Sequence, residues 1–513
     1  MRPVKYRALY LHIPFCRAKC LYCDFDSRAL TGCALEEAIG AYCEGLSAQV
    51  DAHGNAGELS AVETVYVGGG TPSLLGGRLV GLVDLVRSYC EPVEFTCEAN
   101  PESFTLDLAQ ALRAAGVTRI SLGVQSLNAS ELKAMGRIHS AEQAMLAVAQ
   151  AKAAGFSTSC DVMCGLPGQT LDTFAETLRS LVTLNPDHVS VYPLQLEEGT
   201  PLARMEEAGE MEVPDEDFQA QCMDLAAEVL EEAGYERYEV ASYAKPGHRC
   251  RHNIAYWTGK PYLGLGRSAA SMLDVCKGEC REARFIARPD AQKGEGSWMR
   301  GEALSPKEEN LLSRSDAWSG EGLSSCPDER NEEGLSAREK GLSLREESLS
   351  ARERGLSARE EGLSAREEGL SLREEGLSLR DEGLLSKGRA LPPIDEDLSM
   401  DGPASIRVSS DVARIRFKQL DDAGGQFETE ELSAREAAAE DLMLACRMTD
   451  GISADLLARA TGIIPDDELS FACQQAVEKG LAVWDGGALR PTHLGWLEGN
   501  ELFGIFWNLA YES

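Results

Sequence analysis

The sequence predicts an α/β protein in three parts: strand–helix units in residues 1–288, a low-complexity insert in 289–405 and a C-terminal winged-helix-like domain in 406–513. Three observations carry this reading. Up to about Gly234, short β-branched or aromatic runs alternate with longer helix-forming stretches, the pattern of a parallel sheet covered by helices. A seven-residue unit then recurs eight times between Glu332 and Lys387. Helical sequence and a hairpin signal follow it.

Six segments have strand character: Leu9–His12, Val62–Val67, Val93–Glu98, Val117–Val124, Phe156–Met163 and His188–Leu194. Between them Leu35–Val50, Leu79–Tyr89, Glu142–Ala154 and Thr173–Leu184 have helix-forming composition. Six consecutive β/α units suggest an open partial barrel, although periodicity alone leaves a doubly wound sheet open.

The repeat, EEGLSAR with small changes, invites a coiled-coil reading because its period is seven. Its spacing argues otherwise. Apolar residues such as Leu335, Ala337 and Leu342 fall two and five apart, whereas a helical seam needs three and four. Seven of the eight units contain Gly, which together cost about 7 kcal/mol in a helix. Arg338 follows Glu333 and Glu332 by five and six residues, so pairs at three or four do not form within the register. The composition predicts a disordered or weakly helical insert. LSARE recurs at Leu432–Glu436, where helical sequence resumes.

Helix, helix and a hairpin around Asp485-Gly486-Gly487 give the last part its winged-helix character. Such a fold often reads DNA. Residues 426–513, however, hold sixteen Asp and Glu against five Lys and Arg, and a duplex-reading face must be basic. The whole chain carries a net charge of -34, which repels nucleic acid and anionic membranes alike. A structural or interaction role is expected for this domain.

The opening stretch MRPVKYRALYLHIPFC is interrupted by His12 and Pro14, so no signal peptide is expected, and no apolar run approaches the roughly 18 residues of a membrane span. Sixteen cysteines with no small secreted framework around them read as reduced thiols. A cytoplasmic location is expected.

Cys16, Cys20 and Cys23 form C-x3-C-x2-C, a spacing that chance would produce on the order of 0.01 times in such a chain. Three close thiolates are natural ligands of an iron–sulfur cluster. A zinc site would want a fourth ligand nearby, and Cys33 after Gly32 is awkwardly placed for it. Three ligands on a cubane leave one iron open to a small molecule.

With this motif the chain resembles the radical S-adenosylmethionine (SAM) superfamily, whose fold is a partial (β/α)6 barrel and whose open iron chelates SAM. More closely, it resembles the family of oxygen-independent coproporphyrinogen III oxidases and, within it, the HemW-type heme chaperones. The resemblance spans Tyr6 to about Met272 and resumes near Leu432. It rests on YLHIPFC, GGGTPS, EANPES, RISLGVQS, DVMCGLPGQT and CRHNIAYW. It implies a 4Fe-4S cluster on Cys16, Cys20 and Cys23 and places Tyr10 beside SAM. Gly69, Gly70 and Thr71 are to receive the methionyl amino group and carboxylate, as the freedom of glycine after a strand allows. Glu98 and Arg137 are to hold the charged methionyl groups, Gln125 to complete the pocket and Asp161 to take ribose hydroxyls. Glu98, Gln125 and Asp161 fall at or near predicted strand ends, where barrel proteins gather their ligands.

The oxidases carry a further cysteine two residues after the third ligand, where this chain has Phe25. Oxidase activity is therefore disfavoured. The segment His252-Asn253-Ile254-Ala255-Tyr256-Trp257 matches the HNxxYW motif of the chaperones and makes His252 the candidate heme ligand. Relatives carry GxGPGAHS where this chain has GLGRSAAS, so Arg267 and Ala270 replace the expected Pro and His. The resemblance implies heme as cargo, heme-receiving proteins such as those of the respiratory chain, and an electron donor for the cluster.

Overall fold

A strand buried on one face by helices and bordering a chamber on the other must alternate apolar and polar side chains. Six segments do so and pair in parallel: β1 Ala8–Ile13, β2 Thr64–Gly69, β3 Glu94–Ala99, β4 Arg119–Gln125, β5 Ser157–Cys164 and β6 His188–Pro193. Leu9, Leu11, Val65, Val67, Phe95, Cys97, Ile120, Leu122, Cys160, Val162, Val189 and Val191 enter the main core. Residues of the opposite parity, among them Tyr66, Glu98, Ser121, Asp161 and Ser190, line a cavity. This computed structural model describes residues 5–275 and 412–511, and the backbone of 282–285 and 404–407. The expected insert, heptads included, lies outside the described residues except for 404–405.

The six strands lie side by side in chain order, without the reversal of a doubly wound sheet, so their helices cover one face. Helices Gly32–Asn55, Gly77–Arg87, Leu106–Ala115, Ala141–Ala153 and Leu171–Leu184 make the crossovers. Their starts follow local chemistry: Ser140 and Thr170 each close a capping box three residues on.

The sheet continues past both edges. Beyond β6 lie β7 Glu236–Arg237 and β8 Ser242–Ala244; beside β1 lie β9 Tyr262–Leu265, β10 Ala270–Asp274, β11 Val412–Gln419 and β12 Phe427–Ser433. The twelve strands run in the order β12-β11-β10-β9-β1-β2-β3-β4-β5-β6-β8-β7. The barrel is open. Two strands thus belong to the main sheet although the sequence reading assigned them to the C-terminal domain. Arg414, Arg416 and Lys418 alternate with the buried Ile415 and Phe417, a strand signal that the sequence reading did not take up. Arg414 is nevertheless buried and paired with Asp274, Glu440 and Asp441, while Arg416 meets Glu430 and Glu440.

β10 and β11 are antiparallel neighbours, Asp274 facing Arg414, and the connection between them is residues 275–411. Its two ends pair again where Glu282–Phe285 meets Ala404–Arg407. An insertion at this place begins and ends at one point of the sheet.

The helical domain starts with Ala434–Ala445, capped by Ser433 and Glu436, and continues with Ala454–Ala460 and Asp466–Glu478. Its wing, Ala482–Asp485 against Ala488–Pro491, turns on Gly486 and Gly487, both with positive φ as a two-residue hairpin turn demands. Arg447 of this domain lies over the Trp257 ring at 5.0 Å, and its carbonyl accepts from the Val240 amide at 3.0 Å.

Because the connection closes on itself, removing part of it should leave the sheet intact. Deleting Asn331–Gly388 is expected to raise stability by only about 0.6 kcal/mol, the effect of roughly halving a loop. Chemical denaturation of the two proteins, with iron loading compared alongside, checks this; a loss of several kcal/mol would assign the insert a part in the fold.

Candidate functional site

The chain leaves β1 at Ile13 and enters the cysteine loop, which must be seated on the ends of β1 and β2 to face the cavity. The GGGT turn seats it. The amide of Gly70 donates to Ile13 O at 2.8 Å and that of Thr71 to Phe15 O at 2.7 Å. A Cβ on Gly70 would stand 2.6 Å from Phe15 O, and one on Gly69 2.6 Å from the His12 ring, so only glycine allows this approach. Gly69 has φ 109° and its amide donates to Glu98 Oε2 at 3.0 Å. All three amides are therefore spent within the protein. They have no N–H left for a carboxylate.

The far side of the loop is tied by Asp26, whose Oδ2 accepts from Arg267 Nε and from Ser268 Oγ, each at 2.6 Å. The GLGRSAAS segment thus anchors the cysteine loop. It does not line the cavity. Arg28 adds a bridge to Asp422 at 3.1 Å, in the turn between β11 and β12.

Cys16, Cys20 and Cys23 are half-buried and line one cavity of about 310 Å³. Thr71 Oγ1 donates to Cys16 Sγ at 3.6 Å and Arg137 Nη1 to Cys20 Sγ at 3.3 Å. Burial pushes the Cys23 thiol up to about 11. Among the described residues no three His, Cys, Asp or Glu side chains close on a single metal ion. A multi-iron cluster does not ask for that, since each thiolate binds a different iron. Donors aimed at two of the sulfurs and a shared chamber fit such a group.

Gly69, Gly70, Glu98, Gln125, Arg137 and Asp161 line the same cavity, and Thr71 stands just behind it. Glu98 accepts from Tyr66 OH at 2.8 Å, and burial pushes its carboxyl up to about 7. Asp161, raised by burial too, accepts from Ser121 Oγ at 3.0 Å. Gln125 has φ 63°, a left-handed conformation uncommon outside glycine, at an irregularity in the β4–β5 register. Its side chain keeps the cavity-facing parity of Arg119, Ser121 and Gly123, and the irregularity sets it opposite the core residue Val162. Arg137 also donates through Nη2 to Asn100 Oδ1 and Gly123 O, both at 2.9 Å.

Two expected residues are elsewhere. Tyr10 lies behind Tyr66, ring centroids 6.2 Å apart, with its hydroxyl 3.1 Å from His12 Nδ1. Tyr66 takes the place at the cavity wall. His252 sits at the opposite end of the strands, 2% exposed, with Nδ1 3.0 Å from Thr64 Oγ1 at the start of β2. About 17 Å of strand separates Thr64 from Gly69. The amides of Arg251 and His252 donate to Glu94 at 3.0 and 2.9 Å, and the ring packs against Tyr66 and Tyr256. Burial lowers its pKa to about 3, and Nε2 has no partner. The ring of the candidate heme ligand His252 is enclosed and does not itself line the cavity, although its neighbours Cys250 and Asn253 do.

Sequence reasoning passed over Tyr66, Asn100, Arg119, Ser121, Ser159, Ser190 and Asn253, which also line the cavity. Strand parity held the signal. Arg119 and Ser121 share the parity of Gly123 and Gln125, and Ser159 stands two before Asp161.

Comparison with known proteins adds a family context. The model of the radical SAM superfamily matches residues 10–181 and that of the HemN C-terminal domain residues 432–497. The heme chaperone HemW of Mycobacterium tuberculosis (strain ATCC 25618 / H37Rv) is 40% identical over 280 residues, covering 52% of this chain and 70% of that protein. The heme chaperone HemW of Escherichia coli (strain K12) is 39% identical over 267 residues, covering 51% and 69%. Among solved structures, the coproporphyrinogen III oxidase HemN of Escherichia coli, a radical SAM enzyme, matches with a TM-score of 0.61 over 98% of this chain and 91% of that one. Its identity is 16%, so the likeness is one of fold.

Glu98 offers a pH-dependent check on the chamber. Its folded pKa lies above the ordinary 4.5, so the wild type loses stability as pH rises from about 4.5 through 7, where the unfolded carboxyl ionises first. Glu98→Gln removes that loss. The variant without cofactors is expected to match the wild type near pH 4.5 and exceed it by about 2 kcal/mol above pH 7.5, a value reduced because one edge faces the cavity. Denaturant titrations across this range read the difference; a constant offset would place the Glu98 carboxyl in water.

Proposed function

The chain belongs to the HemW heme chaperone family within the radical SAM superfamily, and from that premise we propose that it is itself a heme chaperone. It binds heme, a 4Fe-4S cluster on Cys16, Cys20 and Cys23, and SAM, and it delivers heme to recipient proteins. The observation that carries the reading is the meeting of the three cysteines with Glu98, Gln125, Arg137 and Asp161 around one cavity. Phe25 stands where the oxidases have their further cysteine, and it is exposed at that cavity.

When bound, a cluster with one iron free of protein ligands supplies one-electron chemistry to a SAM chelated there. The chain's own groups do the rest. Arg137 offers a cation to a carboxylate, carbonyls of the GGGT turn accept from an ammonium, and Asp161 and the Ser121 hydroxyl oxygen accept from ribose hydroxyls. Tyr22 and Phe25 add aromatic faces to the chamber wall beside the cysteines.

Heme recipients of the respiratory chain and a separate electron donor are the partners we propose. The net charge of -34 favours basic docking faces on both. Every described cysteine is a free thiol, and no helix among the described residues is long and apolar enough to cross a membrane. Both facts support a working place in the cytoplasm.

Replacing Cys16, Cys20 or Cys23 by Ala is expected to remove most of the iron and sulfide taken up on anaerobic reconstitution, whereas Cys33→Ala, Cys43→Ala and Cys90→Ala leave it unchanged. A full cluster in Cys20→Ala would sink the ligand assignment. Heme titration of the wild type should give a shifted Soret band, and coproporphyrinogen III should not be converted under reducing, anaerobic conditions. Turnover at enzymatic rates would overturn the chaperone reading in favour of an oxidase. His252→Ala is expected to keep heme binding and to cost about 1–3 kcal/mol of stability, because the ring is packed and bonded to Thr64. Loss of the Soret shift in a folded His252→Ala protein would restore His252 as the ligand.

A further inference from the structure

Asn100, the residue after β3, has no role in the reading above, yet both sulfur-directed donors meet at its side chain. Its Nδ2 donates to Thr71 Oγ1 at 3.0 Å and its Oδ1 accepts from Arg137 Nη2 at 2.9 Å. Beyond them, Thr71 donates to Cys16 Sγ and Arg137 to Cys20 Sγ. Asn100 is itself held at the backbone, its amide donating to Ser73 Oγ at 3.3 Å and its carbonyl accepting from Ser103 Oγ at 3.2 Å.

The direction of these bonds matters. A threonine hydroxyl has one proton and two acceptor sites. Because Thr71 Oγ1 already accepts from the Asn100 amide, its proton is free for the sulfur. The amide cannot be reversed without turning its NH2 onto a guanidinium that has only donors. Asn100 thus sets the polarity of a chain of hydrogen bonds that runs Cys16, Thr71, Asn100, Arg137, Cys20. A carboxylate at this position would accept from both neighbours and draw the Thr71 proton from Cys16, since an ionised oxygen is a stronger acceptor than a sulfur whose charge is shared with iron.

We propose that Asn100 is a positioning residue for the cluster, orienting Thr71 and Arg137 so that both donate to cysteine sulfurs and thereby raising the cluster's reduction potential. The proposal rests on the reading that Cys16, Cys20 and Cys23 hold a 4Fe-4S cluster. Reduction adds negative charge to the cluster and its thiolates, and donors at the sulfurs stabilise that charge.

A double-mutant cycle between Thr71→Val and Asn100→Asp tests it, read as the one-electron midpoint potential of the reconstituted full-length protein by anaerobic redox titration with electron paramagnetic resonance, without SAM. In the wild-type background Thr71→Val is expected to shift the reduction equilibrium about tenfold toward the oxidised form, or about 59 mV for one electron. In the Asn100→Asp background the same change should shift it less than about twofold, because the bond to Cys16 has already gone. The charge added by Asp is common to both members of that pair and cancels. Thr71→Ser, which keeps the hydroxyl, should retain the wild-type potential. Equal shifts from Thr71→Val in the two backgrounds would overturn the proposal. If Asn100→Asp takes up no cluster, Asn100→Leu replaces it in the cycle; it leaves the Thr71 proton free but no longer oriented, so the Thr71→Val shift should fall below the wild-type tenfold without vanishing, and an unchanged tenfold shift would overturn the proposal. A wild type that takes up no iron and sulfide would instead overturn the cluster reading.

Discussion

The two-residue alternation of side chains along six parallel strands is the constraint on which the rest of this structure depends. In a closed barrel of eight strands the inner face is filled by bulky aliphatic residues. Here the sheet stays open and the inner face carries Tyr66, Glu98, Ser121, Ser159, Asp161 and Ser190 around a chamber. Lining a chamber with carboxylates is costly, as the raised pKa of Glu98 records. The outer face, with Leu9, Leu11, Val65, Val67, Phe95, Ile120 and Leu122 under the helices, offsets that cost.

The cysteine loop has little secondary structure of its own, and its position is set from three distant parts of the chain. The GGGT turn holds its start through two amides, Arg267 and Ser268 hold Asp26, and the turn between β11 and β12 reaches Arg28 through Asp422. The strands flanking the long connection therefore serve the site as well as the sheet. This explains how the chain accommodates the heptad array. The connection that contains it leaves and rejoins the sheet at two antiparallel neighbours, so added length leaves the pairing of Asp274 with Arg414 undisturbed.

The HNxxYW helix closes the other end of the chamber. Cys250 and Asn253 face its floor, Glu94 caps the helix start, and Trp257 carries the Arg447 guanidinium of the helical domain. The helix carrying His252 to Trp257 thus joins the barrel floor to the C-terminal domain. Its histidine is in the packing, with a neutral ring between two tyrosines.

By itself the sequence determined the six β/α units, because periods of two and of three to four are local properties of the chain, and the cysteine triad, because its spacing is short. It also made the Gly486-Gly487 turn of the wing legible, while Glu98, Gln125, Arg137 and Asp161 were named for the pocket by resemblance to a known family. It left the inner-face partners unread: Ser121 or Tyr66 looks like any strand residue until the faces are sorted. Only the tertiary structure decided that the amides of the GGGT turn are spent on Glu98 and the cysteine loop, that Tyr66 displaces Tyr10 at the wall, that β11 and β12 complete the sheet, and that His252 lies some 17 Å of strand from the site level. Each of these turns on which end of a strand, or which distant segment, a residue meets, and such meetings are fixed by packing between parts of the chain hundreds of residues apart.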